Sequence, residues 1–230
     1  MTGPQPSGGD DTIAHSDAIR AGVTGHRPAG LAGADLDLLR QRVREALAVI
    51  ADSAPSTPLV VISPLAEGAD RLIAREAVDA GHLLDCVLPF PRDDYATDFA
   101  SAATRSEYYA LLGSAVQITE LHGSRATPEV TDAAYMAAGE HVVEHADVMI
   151  AIWDGAEARG SGGTGDVVRL ALACSLPVLW IAATQPHDLR LITRNGTGVV
   201  EQSIAMLSAL VGHAPATNRR RGTAPCDLSS

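Results

Sequence analysis

The densest run of ligand-ready residues is Gly160-Ser161-Gly162-Gly163-Thr164-Gly165-Asp166, which follows the apolar stretch Val148 to Trp153 and leads into the helical pattern Val167 to Leu172. Strand, glycine loop and helix in that order form an anion-binding arrangement. Glycines let backbone N–H groups approach a ligand, and a helix start adds unpaired donors at the positive end of its macrodipole. Thr164 adds a hydroxyl, and Asp166 either caps the helix or accepts a ribose hydroxyl. The loop satisfies G-x-G-x-x-G, but the next strand ends in Ala183-Thr184-Gln185 without the ribose-binding acid, so an ordinary NAD-dependent dehydrogenase does not fit. The competing reading of the same residues is a Gly-Ser surface loop with no ligand.

Three further segments carry polar chemistry. Thr24-Gly25-His26-Arg27-Pro28 offers a glycine for a tight turn and, in Arg27, a forked pair of phosphate donors, unless Arg27 pairs with a local carboxylate and His26 only packs. Ser63-Pro64-Leu65-Ala66-Glu67-Gly68-Ala69-Asp70 supplies a hydroxyl, a glycine and two carboxylates beside a helix start, the setting of a ribose or nucleobase pocket. Glu67 is the candidate acid of that loop, whereas Asp70 reads as a helix cap. In Pro89-Phe90-Pro91 the Phe90 ring either stacks on a base or stiffens the turn, and Asp154 opens the loop that ends in the glycine run.

The elements that must position these residues alternate along the chain. Strands are expected at Ile19 to Thr24, Leu59 to Ser63, Leu83 to Leu88, Ala115 to Leu121, Asp147 to Trp153, Pro177 to Ala182 and Leu189 to Thr193. Helices are expected near Asp35 to Ala51, Asp70 to Ala80, Phe99 to Leu112, from Thr131 as cap to about His145, and over Val199 to Val211, with Arg92 to Thr97 and His122 to Pro128 as loops. Such alternation predicts βαβ units: an α/β fold with three layers, in which a mostly parallel sheet carries helices on both faces. Ligands then bind at the carboxyl ends of the strands, where the strand order reverses, and all four polar segments follow a strand's carboxyl end.

Composition narrows the function classes. With 230 residues, 46% of them hydrophobic, the chain can bury one substantial core, expected over residues 16–213 between disordered tails at 1–15 and 214–230. A net charge of -11 repels a nucleic-acid backbone and excludes general nucleic-acid binding, though a compact phosphorylated ligand needs only a few local donors. Cys86, Cys174 and Cys226 lack the paired spacing of a disulfide framework or a zinc site, so no metal is expected and a reducing, cytoplasmic compartment fits. The first fifteen residues lack the apolar core of a signal peptide, and no apolar run approaches the roughly 20 residues of a membrane span, so an unexported protein without membrane contact is expected.

Taken together, Val23 to Pro28, Ser63 to Asp70, Leu88 to Pro91, Asp147 to Gly155 and Gly162-Gly163-Thr164 resemble the SLOG superfamily of Rossmann-like nucleotide-binding proteins over most of residues 18–183. That superfamily includes the DNA-processing protein A group, the LONELY GUY phosphoribohydrolases and stand-alone bacterial domains that sense nucleotide-derived signals. The resemblance implies a small-molecule nucleotide or NAD-derived phosphate compound as ligand, no required cofactor, self-association as a homo-oligomer such as a dimer, and an effector protein that the sequence does not name. Helix 132–145, with Ala133, Ala134, Ala137 and Ala138, has the small side chains for such a contact, or equally for packing on its own sheet. LONELY GUY enzymes share P-G-G-x-G-T-x-x-E and an R-K pair. Here the Pro is absent, the two possible alignments put Arg169 or Val167 at the Glu position, and the R-K positions fall on Ala138 and Gly139. Loss of these groups removes hydrolysis more surely than binding, because loop amides are indifferent to side-chain identity. The expected function is a nucleotide-binding or sensing module, with a phosphoribohydrolase using Glu67 or Asp166, or a ligand-free interaction scaffold, as alternatives.

Overall fold

The computed structural model describes residues 18–157, 162–186, 188–196 and 198–211. The tails expected at 1–15 and 214–230 lie outside the described residues, as does Gly160.

Eight strands, β1 (Ile19–Gly25), β2 (Leu59–Ser63), β3 (Leu83–Leu88), β4 (Gln117–Glu120), β5 (Val148–Trp153), β6 (Val178–Ala182), β7 (Leu189–Asn195) and β8 (Gly198–Gln202), form one sheet in the order β4-β3-β2-β1-β5-β6-β7-β8. Strands β1 to β6 pair in parallel, and β7 and β8 add an antiparallel ribbon at one edge. The interior strands read as unbroken apolar runs because helices cover both faces; every residue of β2 is buried.

Helices α1 (Leu36–Ser53), α2 (Ala69–Asp79), α3 (Arg92–Tyr95), α4 (Ala102–Ser114), α5 (Pro128–His145), α6 (Thr164–Ala173) and α7 (Leu207–Val211) divide between those faces. Successive side chains on a strand point to opposite sides, and β5 shows the division. Ile150 and Ile152 join α1, α2, α4 and α7 in one core cluster, while Met149 and Ala151 join α5 and α6 in another. In α1, Asp35 caps the first turn by accepting from the amides of Asp37 and Leu38, and the stripe Leu39, Val43, Leu47 and Ile50 is fully buried. Each such side chain contributes about 1.5–3 kcal/mol of transfer free energy.

Three expectations fail locally. The helix expected over 199–211 is β8 followed by a 3₁₀ turn and the short α7, because Gly198–Gln202 alternates in burial with period two and pairs with β7. The loop expected over 92–97 is helical, α3 running into a 3₁₀ turn at Ala96–Asp98 that buries Tyr95 and Ala96. Helix α5 starts at Pro128 rather than beyond Thr131, because Thr127 caps it through the Val130 amide and Pro128 occupies the first turn. Of the cysteines, Cys86 is a buried free thiol, and Cys226 lies outside the described residues. No described helix is long and apolar enough to cross a membrane.

Candidate ligand cleft at the carboxyl rim

The strand order reverses between β1 and β5. From β1 the chain passes through α1 on one face to β2; from β5 it passes through α6 on the other face to β6. The two connections diverge and leave a crevice above the carboxyl ends. A cleft of about 110 Å³ occupies it. Its walls are Thr24, Gly25 and Arg27 after β1, Pro64, Ala66 and Asp70 around the start of α2, Pro89 and Tyr95 beyond β3, Tyr135, Ala138 and Gly139 on α5, and Gly162, Gly163, Thr164 and Val167 at the start of α6.

The first wall depends on two glycines. At Gly25 a Cβ would lie 2.4 Å from the Ala69 Cβ and 3.0 Å from the Ile152 carbonyl oxygen, so glycine permits a close approach of α2 rather than a turn. Gly68 has φ +107, which glycine alone adopts readily, and a Cβ there would lie 2.5 Å from the His26 carbonyl oxygen. That carbonyl instead accepts the Ala69 amide at 3.0 Å, tying α2 to the loop after β1.

This junction carries Asp70 into the cleft wall. Asp70 is 5% exposed, and its Oδ1 is buried without a hydrogen-bond partner. Burial pushes its pKa up to about 7, against the lowering influence of Arg27, the Ala66 amide, Arg71 and the Gly25 amide. Arg27 stands exposed at the rim, its Cζ 5.7 Å from the Tyr135 ring centroid. The Tyr135 hydroxyl donates to Asp98 Oδ2 at 2.5 Å, and Arg125 holds Asp98 from the other side at 2.9 Å.

The opposite wall is the start of α6. Gly163 is its N-cap, with the Asp166 and Val167 amides donating to the Gly163 carbonyl at 2.9 and 3.2 Å. The Gly162 amide donates to Asp166 Oδ2 at 3.1 Å, and Arg169 engages Oδ1 of the same carboxylate. Asp166 is therefore a brace of the loop. The amides of Gly163, Thr164 and Gly165 take no acceptor from among the described residues.

Of the residues singled out in the sequence, Gly25, Arg27, Gly162, Gly163 and Thr164 meet around this cleft, with Gly165 buried directly behind. Several others do not. Ser63 is wholly buried and its Oγ accepts the Leu65 amide at 3.1 Å, a commitment to the turn. Phe90 is 0% exposed; its ring turns into an aromatic cluster edge-on to Tyr135 at 5.5 Å, with the Arg125 guanidinium 3.9 Å above it. Glu67 is not on the wall, and Gly68 faces a separate groove of about 310 Å³ with Arg71 and Arg75. His26 Nε2 lies 3.1 Å from both the backbone nitrogen and Oδ1 of Asp154, so these two residues clasp the loops after β1 and β5 to each other.

The sequence reading preferred a helix-cap role for Asp70, which stands in the wall, and missed Tyr95 and Tyr135. Tyr135, Ala138 and Gly139 have the i, i+3, i+4 spacing of one helix face, the signal that could have found that wall. Among the described residues no cluster of three His, Cys, Asp or Glu side chains is placed to hold a metal ion.

No protein-family model matches this sequence, and no curated protein matches it. Among solved structures, that of DNA processing protein A (DprA) from Streptococcus pneumoniae aligns with 16% identity and a TM-score of 0.46, covering 74% of this chain. The match spans 54% of that protein's own chain.

Proposed function

We propose that this chain is a nucleotide-binding or nucleotide-sensing module of the SLOG type, holding the phosphate of its ligand on the Gly163, Thr164 and Gly165 amides. The observation that carries this reading is that, among the described residues, the Gly163, Thr164 and Gly165 amides have no acceptor, and that Gly163 and Thr164 line the switch-point crevice together with Arg27. An anion there gains hydrogen bonds and the favourable end of the helix dipole. At about 110 Å³ the cleft is small, of a size for the phosphoryl end of a ligand rather than for a whole nucleotide. The remainder of a nucleotide lies outward along the rim, where Tyr135, rather than Phe90, offers a ring to a base.

Hydrolysis through Glu67 or Asp166 gains no support: the first is not on the cleft wall, and the second is bound by the Gly162 amide and by Arg169. General nucleic-acid binding is opposed by the net charge of -11. A cytoplasmic, ligand-reporting role beside a separate effector completes the proposal.

Calorimetry and thermal denaturation against mononucleotides, dinucleotides and NAD-derived phosphates test it. A ligand at about 100 times its Kd adds about 2.7 kcal/mol of stability. The same titrations on Gly163→Asp, which sets a carboxylate among the α6 amides, are expected to show no binding. A panel in which no phosphorylated compound stabilises the protein refutes the reading.

A further inference from the structure

We infer that Asp70 is the acceptor for a sugar hydroxyl, so that the cleft selects phosphate esters of polyols, such as the ribose phosphate of a nucleotide, over bare phosphate. The inference rests on the phosphate-binding reading above and deepens it.

Buried polar atoms in folded proteins almost always have partners, and one left alone costs free energy unless it serves something absent from the empty protein. Asp70 Oδ1 is such an atom, on a side chain that forms part of the cleft wall. Among the described residues the cleft therefore presents two sets of opposite character without partners: donors on α6 and an acceptor on α2. A second anionic group cannot meet the acceptor, since Asp70 would repel it. A group donating a neutral O–H can.

The surroundings leave that role to the ligand. Arg27 and Arg71 are the nearby cations, and neither forms an ion pair with Asp70; Arg71 donates to the Leu65 and Thr104 carbonyls at 3.0 and 2.7 Å, while its Nη2 is buried without a partner. Tyr95 lies beside it, the Gly25 and Ala66 amides act on the same carboxylate, and the Tyr135 hydroxyl is spent on Asp98. Asp70 and the α6 residues Gly163 and Thr164 line the same small cleft.

The test is calorimetry on the full chain at pH 8, where the carboxylate is ionised. Ligands are inorganic phosphate, ribose 5-phosphate, AMP, 2′-deoxy-AMP and 3′-deoxy-AMP, each titrated into the wild type and Asp70→Asn. A hydrogen bond to a charged acceptor predicts that ribose 5-phosphate exceeds inorganic phosphate, and AMP exceeds one deoxy analogue, by at least about tenfold. In Asp70→Asn the preference among the hydroxylated and deoxy esters collapses towards unity. Asp70→Ala serves in place of a variant that fails to fold. Equal binding of all the esters by the wild type, or a preference that survives both substitutions, overturns the inference and leaves the phosphate-binding reading standing. If no phosphoryl compound binds, both fall together.

Discussion

Replacing Asp70 by Asn makes the stability of this protein less dependent on pH, in a direction and amount that follow from its burial. Inside the fold the carboxyl pKa rises from the ordinary 3.8 to about 7 because burial penalises the charged form. Between those two values the folded chain holds a proton that the unfolded chain releases. The stabilisation from this group is therefore fully present below about pH 4 and is lost as pH climbs through about 7. At about 1.4 kcal/mol for each pKa unit, ionisation costs the fold up to about 4 kcal/mol by pH 8. Asn cannot ionise, although its buried NH₂ adds a constant cost of about 1–3 kcal/mol if unpaired. Urea denaturation of both proteins from pH 4.5 to 8.5 separates the two effects, since the constant cost offsets the difference curve and only ionisation gives it a slope. His82 and His141, whose pKa values burial lowers, are common to both proteins and cancel in the difference. The expected difference moves in favour of Asn with rising pH and levels off above about 7; a flat difference refutes the reasoning.

Three further substitutions probe the parts that build the cleft. Gly163→Asp should abolish phosphate binding while leaving thermal stability unchanged or slightly raised, because Gly163 has an ordinary φ of -72 and Asp is a favoured N-cap; a matching loss of stability would point to misfolding instead. Gly68→Ala should cost at least about 2 kcal/mol in denaturant unfolding, since it strains a φ of +107 and drives a Cβ against the His26 carbonyl. Arg71→Met should cost about 2–4 kcal/mol by the same measurement, because it strands the Leu65 and Thr104 carbonyls and removes a guanidinium stacked 3.9 Å from the Phe99 ring centre; phosphate affinity should be unaffected once the folded fraction is matched.

The central strands were legible because a parallel interior strand must be apolar on both faces, and β2 and β3 fall on the residues where those runs stand in the sequence. Legibility faded at the sheet edge. Val199 and Val200 read as part of a helix, but half of β8 faces outward and its assignment depends on pairing with β7, a partner that no local window contains. The convergence of four loops on one rim was legible from the order of strands and helices alone. Which side chain of a loop enters the site was not. Glu67 and Asp70 stand three residues apart, and the choice between them is made by the close seat of Ala69 on Gly25, a contact across 44 positions of chain. Phe90, expected at the site, instead packs its ring against Tyr95 and Tyr135 in the core, and the half-buried Tyr135 on the helix across the crevice lines the cleft.

The contact between Gly25 and Ala69 also governs how this molecule can diversify. Enlarging either residue displaces α2 from β1 and swings Asp70 away with it, so the inner half of the cleft tolerates almost no variation in its lining. Arg27, exposed at the rim, sits outside that constraint. Descendants of this chain would thus keep the inner lining fixed while the exposed mouth is free to drift.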